Sequence, residues 1–191
     1  MERKILVETS ARHVHVTEEA LEILFGKGAE LTFRKALTQP GQFASNERVT
    51  VVGPKRSIEN MSILGPCRSA CQVELSLSDA RTLGITAPVR ESGDLAGSAG
   101  CKIIGPKGEI EIQEGVIIAK RHAHIPTPLA KEWGLTGGQI VKLALGTDDR
   151  KLIFDDVVVR VGDNMGLAVH IDTDEANAAG GDVHEGVIIA D

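Results

Sequence analysis

A chain of 191 residues, 42% of them hydrophobic and with a net charge of −6, is long enough for one sizeable core or two smaller intertwined ones. The acidic balance, with one Trp, four Phe and no Tyr, excludes a general nucleic-acid binder, which needs basic surface and aromatic stacking platforms. No apolar run reaches membrane-spanning length, Met1-Glu2-Arg3-Lys4 does not open a secretory leader, and Cys67, Cys71 and Cys101 are an odd set, so a cytoplasmic protein in a reducing compartment is expected.

In chain order, Lys4 to Val7 begins a strand that is expected to run into His13-Val14-His15. Thr17 fits the N-cap of a helix over 18–25, acidic in its first turn and closed by Gly26. Residues 27–47 carry a weaker pattern, with a short strand at Leu31-Thr32-Phe33 and a turn at Gln39-Pro40-Gly41-Gln42. Two strands, 48–52 and 57–64, flank Gly53-Pro54-Lys55, and the pattern recurs as 101–104 and 109–118 around Gly105-Pro106-Lys107-Gly108. Further strands are expected at 151–154, 157–161 and 187–189, the last within a second copy of Glu-Gly-Val-Ile-Ile-Ala, found at both 114–119 and 185–190.

Two Arg-His-x-His pairs stand out, Arg12-His13-Val14-His15 and Arg121-His122-Ala123-His124, and they use four of the six histidines. In a strand, residues i and i+2 share a face about 6.6 Å apart, so each pair can close on one divalent ion or hold two. A second repeat sharpens the choice. Starting from Glu74, His124 and His170, an Ala follows six positions on and a Gly ten positions on, and His15 to Gly26 fits with one extra residue. Each copy reads as a strand end, a polar cap, a turn or two of helix and a glycine. The repeat nominates His15, Glu74, His124 and His170, to which the pairs add His13 and His122. Six donors suit two ions with about three each, whereas the plain alternative is that strand-to-helix junctions tolerate polar side chains. His184 aligns with Gln113 and reads as a surface histidine.

The paired motifs, together with Gly65-Pro66-Cys67-Arg68-Ser69 before Gln72-Val73-Glu74 and with Gly166-Leu167-Ala168-Val169-His170, resemble the PduL-type phosphate acyltransferases, the phosphate propanoyltransferases. The likeness covers nearly the whole chain. It implies a mainly β fold with short helices, built as two β-barrel-like halves sharing one active site. Residues 2–11 and 120–191 fall in the first half and 12–119 in the second. By the same resemblance the metal ligands are His13, His15, Glu74, His122, His124 and His170, holding two divalent ions per chain, normally Zn2+. The family's active-site arginine falls on Arg68, whose planar fork matches a phosphate.

The implied reaction is reversible transfer of a short acyl group, propionyl or acetyl, between coenzyme A and inorganic phosphate, with acyl phosphate as product. Direct attack of phosphate on the thioester is expected, with Cys67 and Cys71 as packed residues rather than acyl acceptors. Arg12, Lys120 and Arg121 lie beside the ligands and are left unassigned, and no Walker or Rossmann fingerprint occurs. The resemblance also implies a homodimer. Some members enter bacterial microcompartments through an N-terminal extension, and the twelve residues before His13 read as strand instead. The alternatives are a two-metal hydrolase of a thioester or phosphate ester, and a metal-binding module without catalysis.

Overall fold

The computed structural model describes residues 2–190. In chain order the elements are β1 (Arg3–Thr9), β2 (His13–His15), α1 (Glu18–Phe25), β3 (Phe33–Ala36), β4 (Phe43–Val52), β5 (Ser57–Gly65), β6 (Gln72–Leu75), α2 (Leu77–Leu83) and β7 (Val89–Arg90). They continue with β8 (Ala99–Ile104), β9 (Glu109–Ala119), β10 (His122–Pro126), α3 (Thr127–Trp133), β11 (Ile140–Leu145), β12 (Leu152–Gly162), β13 (Ala168–Ile171), α4 (Thr173–Ala178) and β14 (Glu185–Ile189). The fold is mainly β with four short helices, none long and apolar enough to cross a membrane among the described residues. Two compact units divide the chain: one takes β1, the segment Thr38–Pro40 and the residues from Lys120 onward, the other Arg12–Leu37 and Gly41–Ala119.

In the first unit the strands close into a barrel in the order β1-β13-β10-β12-β11-β14. Two pairs, β1/β13 and β10/β12, are parallel and the other four antiparallel. The second unit closes a ring of the same kind, β9-β6-β2-β5-β4-β8, with β8 bridging β4 and β9. The sense of every pairing matches its counterpart. β3 and β7 are added outside this ring, on β4 and β9. Closure leaves no open edge within either ring, which suits chains rich in β-branched residues.

Each ring is filled by its own apolar side chains. Val7, Ala123, Ile125, Leu143, Val159, Val169 and Ile188 centre the first, and Val14, Val51, Ile63, Val73, Ile103 and Val116 the second. At roughly 25 cal/mol per Å² of apolar surface, each such Val or Ile contributes about 1.5–3 kcal/mol, before the entropy of ordering it is subtracted.

A helix leaves the end of β2, β6, β10 and β13 in turn. Thr17 Oγ1 accepts from Ala20 N at 3.0 Å, and Ser76 Oγ accepts from Asp79 N at 3.2 Å. Asp172 and Glu175 form a reciprocal capping box on α4. Gly84 and Gly134 end α2 and α3 in the left-handed conformation that a Cβ disfavours. The expected pattern differs at α4, which closes on Ala179 before Gly180.

Several sequence expectations move. β1 stops at Thr9, and β2 starts afresh at His13 in the other unit. The weak strand near residue 31 lies at Phe33–Ala36, and β4 begins already at Phe43. The two strands expected over 151–161 are one, β12, interrupted where the register against β11 shifts and Asp156 takes φ 58°. That bulge absorbs the polar Asp155-Asp156 step that reads as a loop. The repeated Glu-Gly-Val-Ile-Ile-Ala is not a structural repeat either: by its pairing, β14 corresponds to β8, not to β9.

Candidate metal centres

β2 runs antiparallel to β6 with His13 opposite Glu74, Val14 opposite Val73 and His15 opposite Gln72. Because partners across a ladder share a face, Val14 and Val73 point into the core, and His13, His15, Glu74 and Gln72 form a polar quartet on the other side. β10 repeats this against β13. There His122 faces His170, Ala123 faces Val169 and His124 faces Ala168, with Ala123 and Val169 wholly buried.

The six nominated residues therefore gather as two triads, His13/His15/Glu74 and His122/His124/His170. Within each, three donor atoms lie within 4.8 Å of one another. His13 Nε2 is 3.5 Å and His15 Nε2 3.8 Å from the carboxylate oxygens of Glu74. Two donors on one tetrahedral zinc, with bonds of about 2.0 Å, are separated by about 3.3 Å, so a small contraction would let these groups share an ion. The rings meet edge-on, His13 and His15 with centroids 5.0 Å apart, and His122 and His124 4.9 Å apart. Such tilts turn nitrogen atoms toward a common point.

Electrostatics favour the donor forms. Burial drives the His15 imidazole down to about 3, helped by His13 and Arg68. Burial takes His122 to about 3 and His124 to about 4, with Arg160 and His170 adding to both. Burial by itself would raise the Glu74 carboxyl, but His13, His15 and Arg68 outweigh it and hold the group well below the carboxylate range. At neutral pH His15, His122 and His124 thus offer lone pairs, and Glu74 adds a negative charge. His15 Nδ1 lies 3.2 Å from Leu64 O and His122 Nδ1 2.9 Å from Lys120 O, which fixes ring orientation as outer partners of metal ligands do. His124 Nδ1 and His170 Nε2 are buried without a hydrogen-bond partner. Buried nitrogens left so are costly unless something else takes their lone pairs, and a divalent cation fits.

Arg68 follows the end of β5, and its backbone N–H donates to Val16 O at 2.9 Å. Its Nη1 donates to Ser92 Oγ at 3.0 Å. Ser92 Oγ also accepts from Gln72 Nε2 at 2.8 Å and donates to Glu74 Oε1 at 3.2 Å. Gln72 Nε2 bonds Glu74 as well, and its Oε1 accepts from Gly93 N at 2.8 Å. One hydroxyl thus ties the arginine to the carboxylate of the triad. Cys67 packs half-buried against the second core, and burial raises its thiol, the opposite of what a nucleophilic thiolate requires. Burial pushes Cys101 up to about 12.

Two of the three unassigned basic residues, Arg12 and Arg121, have structural partners. Arg12 Nη1 pairs with Asp79 at 3.0 Å, while Arg121 pairs with Glu175 at 3.0 Å and lies over the Phe154 ring. His184 is exposed and pairs with Asp182 at 2.7 Å. A groove of about 620 Å³ in the second unit is lined by Glu18, Glu19, Glu22 and Glu30, a poor reception for a polyanion.

Three residues near the triads, Ser92, Glu8 and Arg160, are not singled out by the sequence, and Gln72 enters there only as part of a motif, without a role. Arg160 faces His124 across β10/β12, and Glu8 faces His170 across β1/β13. Only the strand pairing brings them there. The alternation Ile5-Leu6-Val7-Glu8, with Ile5 and Val7 in the core, is the one local hint that Glu8 looks outward.

Residues 6–182 match the profile of a family described as phosphate propanoyltransferase. A phosphate propanoyltransferase of Thermotoga maritima is 54% identical over 92% of this chain and 83% of its own length. One from Lachnoclostridium phytofermentans is 52% identical over 91% and 81%, and one from Leptotrichia buccalis 51% identical over 92% and 82%.

Proposed function

Because the chain belongs to the phosphate propanoyltransferase family, we propose that it is a phosphotransacylase, moving a short acyl group, propionyl or acetyl, reversibly between coenzyme A and inorganic phosphate. The proposal gives each triad one divalent ion, zinc by resemblance. His13, His15 and Glu74 would hold one, and His122, His124 and His170 the other. Arg68 would take the phosphate. The observation that carries this reading is the pairing, in each unit, of a His-x-His strand with one further donor directly across the ladder, joined in the second unit by an arginine bonded to Ser92.

Bound there, a divalent ion supplies Lewis-acid charge for a thioester carbonyl and an anchor for anionic oxygens. The chain's own residues do the rest. Arg68 offers a planar fork to two phosphate oxygens, and Ser92 sets the plane of that fork before substrate arrives. Neutral imidazoles spend their lone pairs as donors and are unsuited to act as bases. None is needed, since hydrogen phosphate is already an anionic nucleophile. Its oxygen adds to the thioester carbon, the C–S bond breaks, coenzyme A leaves as thiolate, and the proton of hydrogen phosphate ends on sulfur. The raised Cys67 thiol favours this direct route over an acyl-enzyme.

The test is release of coenzyme A thiol from acetyl-, propionyl- and butyryl-coenzyme A, with acyl phosphate trapped as its hydroxamate. Phosphate-dependent release that stops on chelation and returns with zinc is expected. Equal release in phosphate-free buffer would make the protein a hydrolase, and turnover by metal-free protein would reduce the triads to structural features. The proposal extends to a homodimer, read by light scattering.

A further inference from the structure

We propose that Glu8 is a fourth protein donor of the His122/His124/His170 site, held in place by Thr38. The inference rests on the reading that this triad binds a divalent ion. It begins with the register: β1 lies parallel to β13 with Glu8 opposite His170, and since Ile5 and Val7 fill the core, Glu8 projects on the same face as the imidazoles.

Glu8 Oε2 approaches His170 Nε2 to 3.1 Å, yet that nitrogen has no hydrogen-bond partner. The approach is therefore close without hydrogen-bond alignment. Two donors converging on a third centre give this geometry, and 3.1 Å is near the separation of about 3.3 Å set by zinc bonds of about 2.0 Å.

The other carboxylate oxygen is engaged. Glu8 Oε1 accepts the hydroxyl of Thr38. Thr38 belongs to the short segment Thr38–Pro40 that packs in the first unit, and its neighbour Gln39 is bonded to the backbone of Gly166 in both directions, at 3.1 and 3.3 Å. Gly166 is needed for this fit, because a Cβ there would come within 2.4 Å of Thr38 O. The segment thereby holds a hydroxyl where it turns one oxygen of Glu8 aside and aims the other at the histidines.

The second ring supports the assignment by contrast. There the position equivalent to Glu8, opposite Glu74 on β9, is Ile117, and it is wholly buried. That ring has its carboxylate on β6 as Glu74, whereas the first has an imidazole at the matching place and its carboxylate one strand over. Each set then contains one carboxylate, so each ion loses one unit of charge to its ligands. A fourth donor also leaves fewer positions for an incoming oxygen at the first site.

The experiment uses the full chain loaded with Co2+ and follows its visible absorption and its bound metal, with chelator competition for affinity. Glu8→Gln and Glu8→Ala are expected to change the cobalt spectrum, to remove one oxygen donor by X-ray absorption, and to weaken one of two sites tenfold or more. Thr38→Val should weaken the same site less. An unchanged spectrum and donor count in both Glu8 variants would overturn the proposal, including the case where affinity falls through an outer-shell effect alone. His170→Ala separates the premises. If it too leaves two ions bound with an unaltered spectrum, the triad is not a metal site; if it loses one ion while Glu8→Ala changes nothing, only Glu8 is excluded.

Discussion

The two rings share one pairing scheme and differ in what stands around the paired histidines. Opposite the first histidine is Glu74 in the second unit and His170 in the first. Opposite the second is Gln72 in one and Ala168 in the other. Gln72 and Ser92 tie Glu74 to Arg68, whereas the first ring sets Arg160 across from His124 and Glu8 across from His170. The common scaffold thus supplies a place for three converging donors, and the strands on either side decide charge and ligand chemistry. Under the proposed activity, the second unit is fitted to grip a phosphate and the first to a site with an additional carboxylate.

Removing a central donor from each ring tests this division most strongly. His13→Ala and His122→Ala should each cost one of two bound ions by elemental analysis and lower turnover by about 10³-fold, an effect of the size seen when transition-state charge loses its partner. Equal losses from different ions would show two non-redundant sites; retention of both ions in either variant would break the comparison. Next in size, Arg68→Ala should lower kcat/KM for phosphate by about 10²-fold or more, with Arg68→Lys recovering part of it as a point charge without the fork. An unaltered phosphate dependence would remove Arg68 from the site. Ser92→Ala deletes one hydrogen bond to each of two charged groups, worth about 1.5–3 kcal/mol for a charged partner, so phosphate KM should rise about tenfold with both ions retained. If kcat and KM move together and an ion is lost, Ser92 serves Glu74 rather than Arg68.

Acid provides a smaller and graded test on metal-free protein. His15, His122 and His124 have folded values of about 3, 3 and 4 against 6.5 for the free side chain. Their depressed values mean that the unfolded chain binds more protons below pH 6.5. Stability is therefore full above that pH and falls as the solution is acidified toward pH 4, at roughly 1.4 kcal/mol per pH unit for a fully buried imidazole. In the first unit Glu175, raised to about 7 by burial, opposes the loss because its folded carboxyl takes up a proton as the pH falls from 7, so Glu175→Gln should steepen the profile, which urea melts at pH 7, 6 and 5 would read. A flat profile would mean that the imidazoles take up protons in the folded state.

Much of this was legible along the chain, for definite reasons. A His-x-His pair in a strand declares a shared face because the side-chain period is two, and the repeated spacing from strand end to glycine marks four junctions where helices do start. Neighbours across a ladder leave no such trace. Nothing near Glu8 points to His170, and nothing near Ser92 points to Arg68, because β1/β13 pairing and the loop after β7 decide both. A shared sequence also misleads: β9 and β14 both contain Glu-Gly-Val-Ile-Ile, yet they occupy different slots in their rings, with Val116, Ile117 and Ile118 all buried in one and only Ile188 of the matching three in the other. The Asp155-Asp156 bulge disguised one strand as two.

β1 fills in the first ring the slot that β9 fills in the second, but it comes before every other strand of its ring instead of after them. During synthesis this segment, with Ile5 and Val7 on one side, emerges before the other strands and has no native edges to join until β13 and β14 have left the ribosome. The ring from β2 to β9 can meanwhile finish from residues already made. The nascent chain should thus acquire its halves in a fixed order, with protease resistance of the central segment preceding that of the two ends.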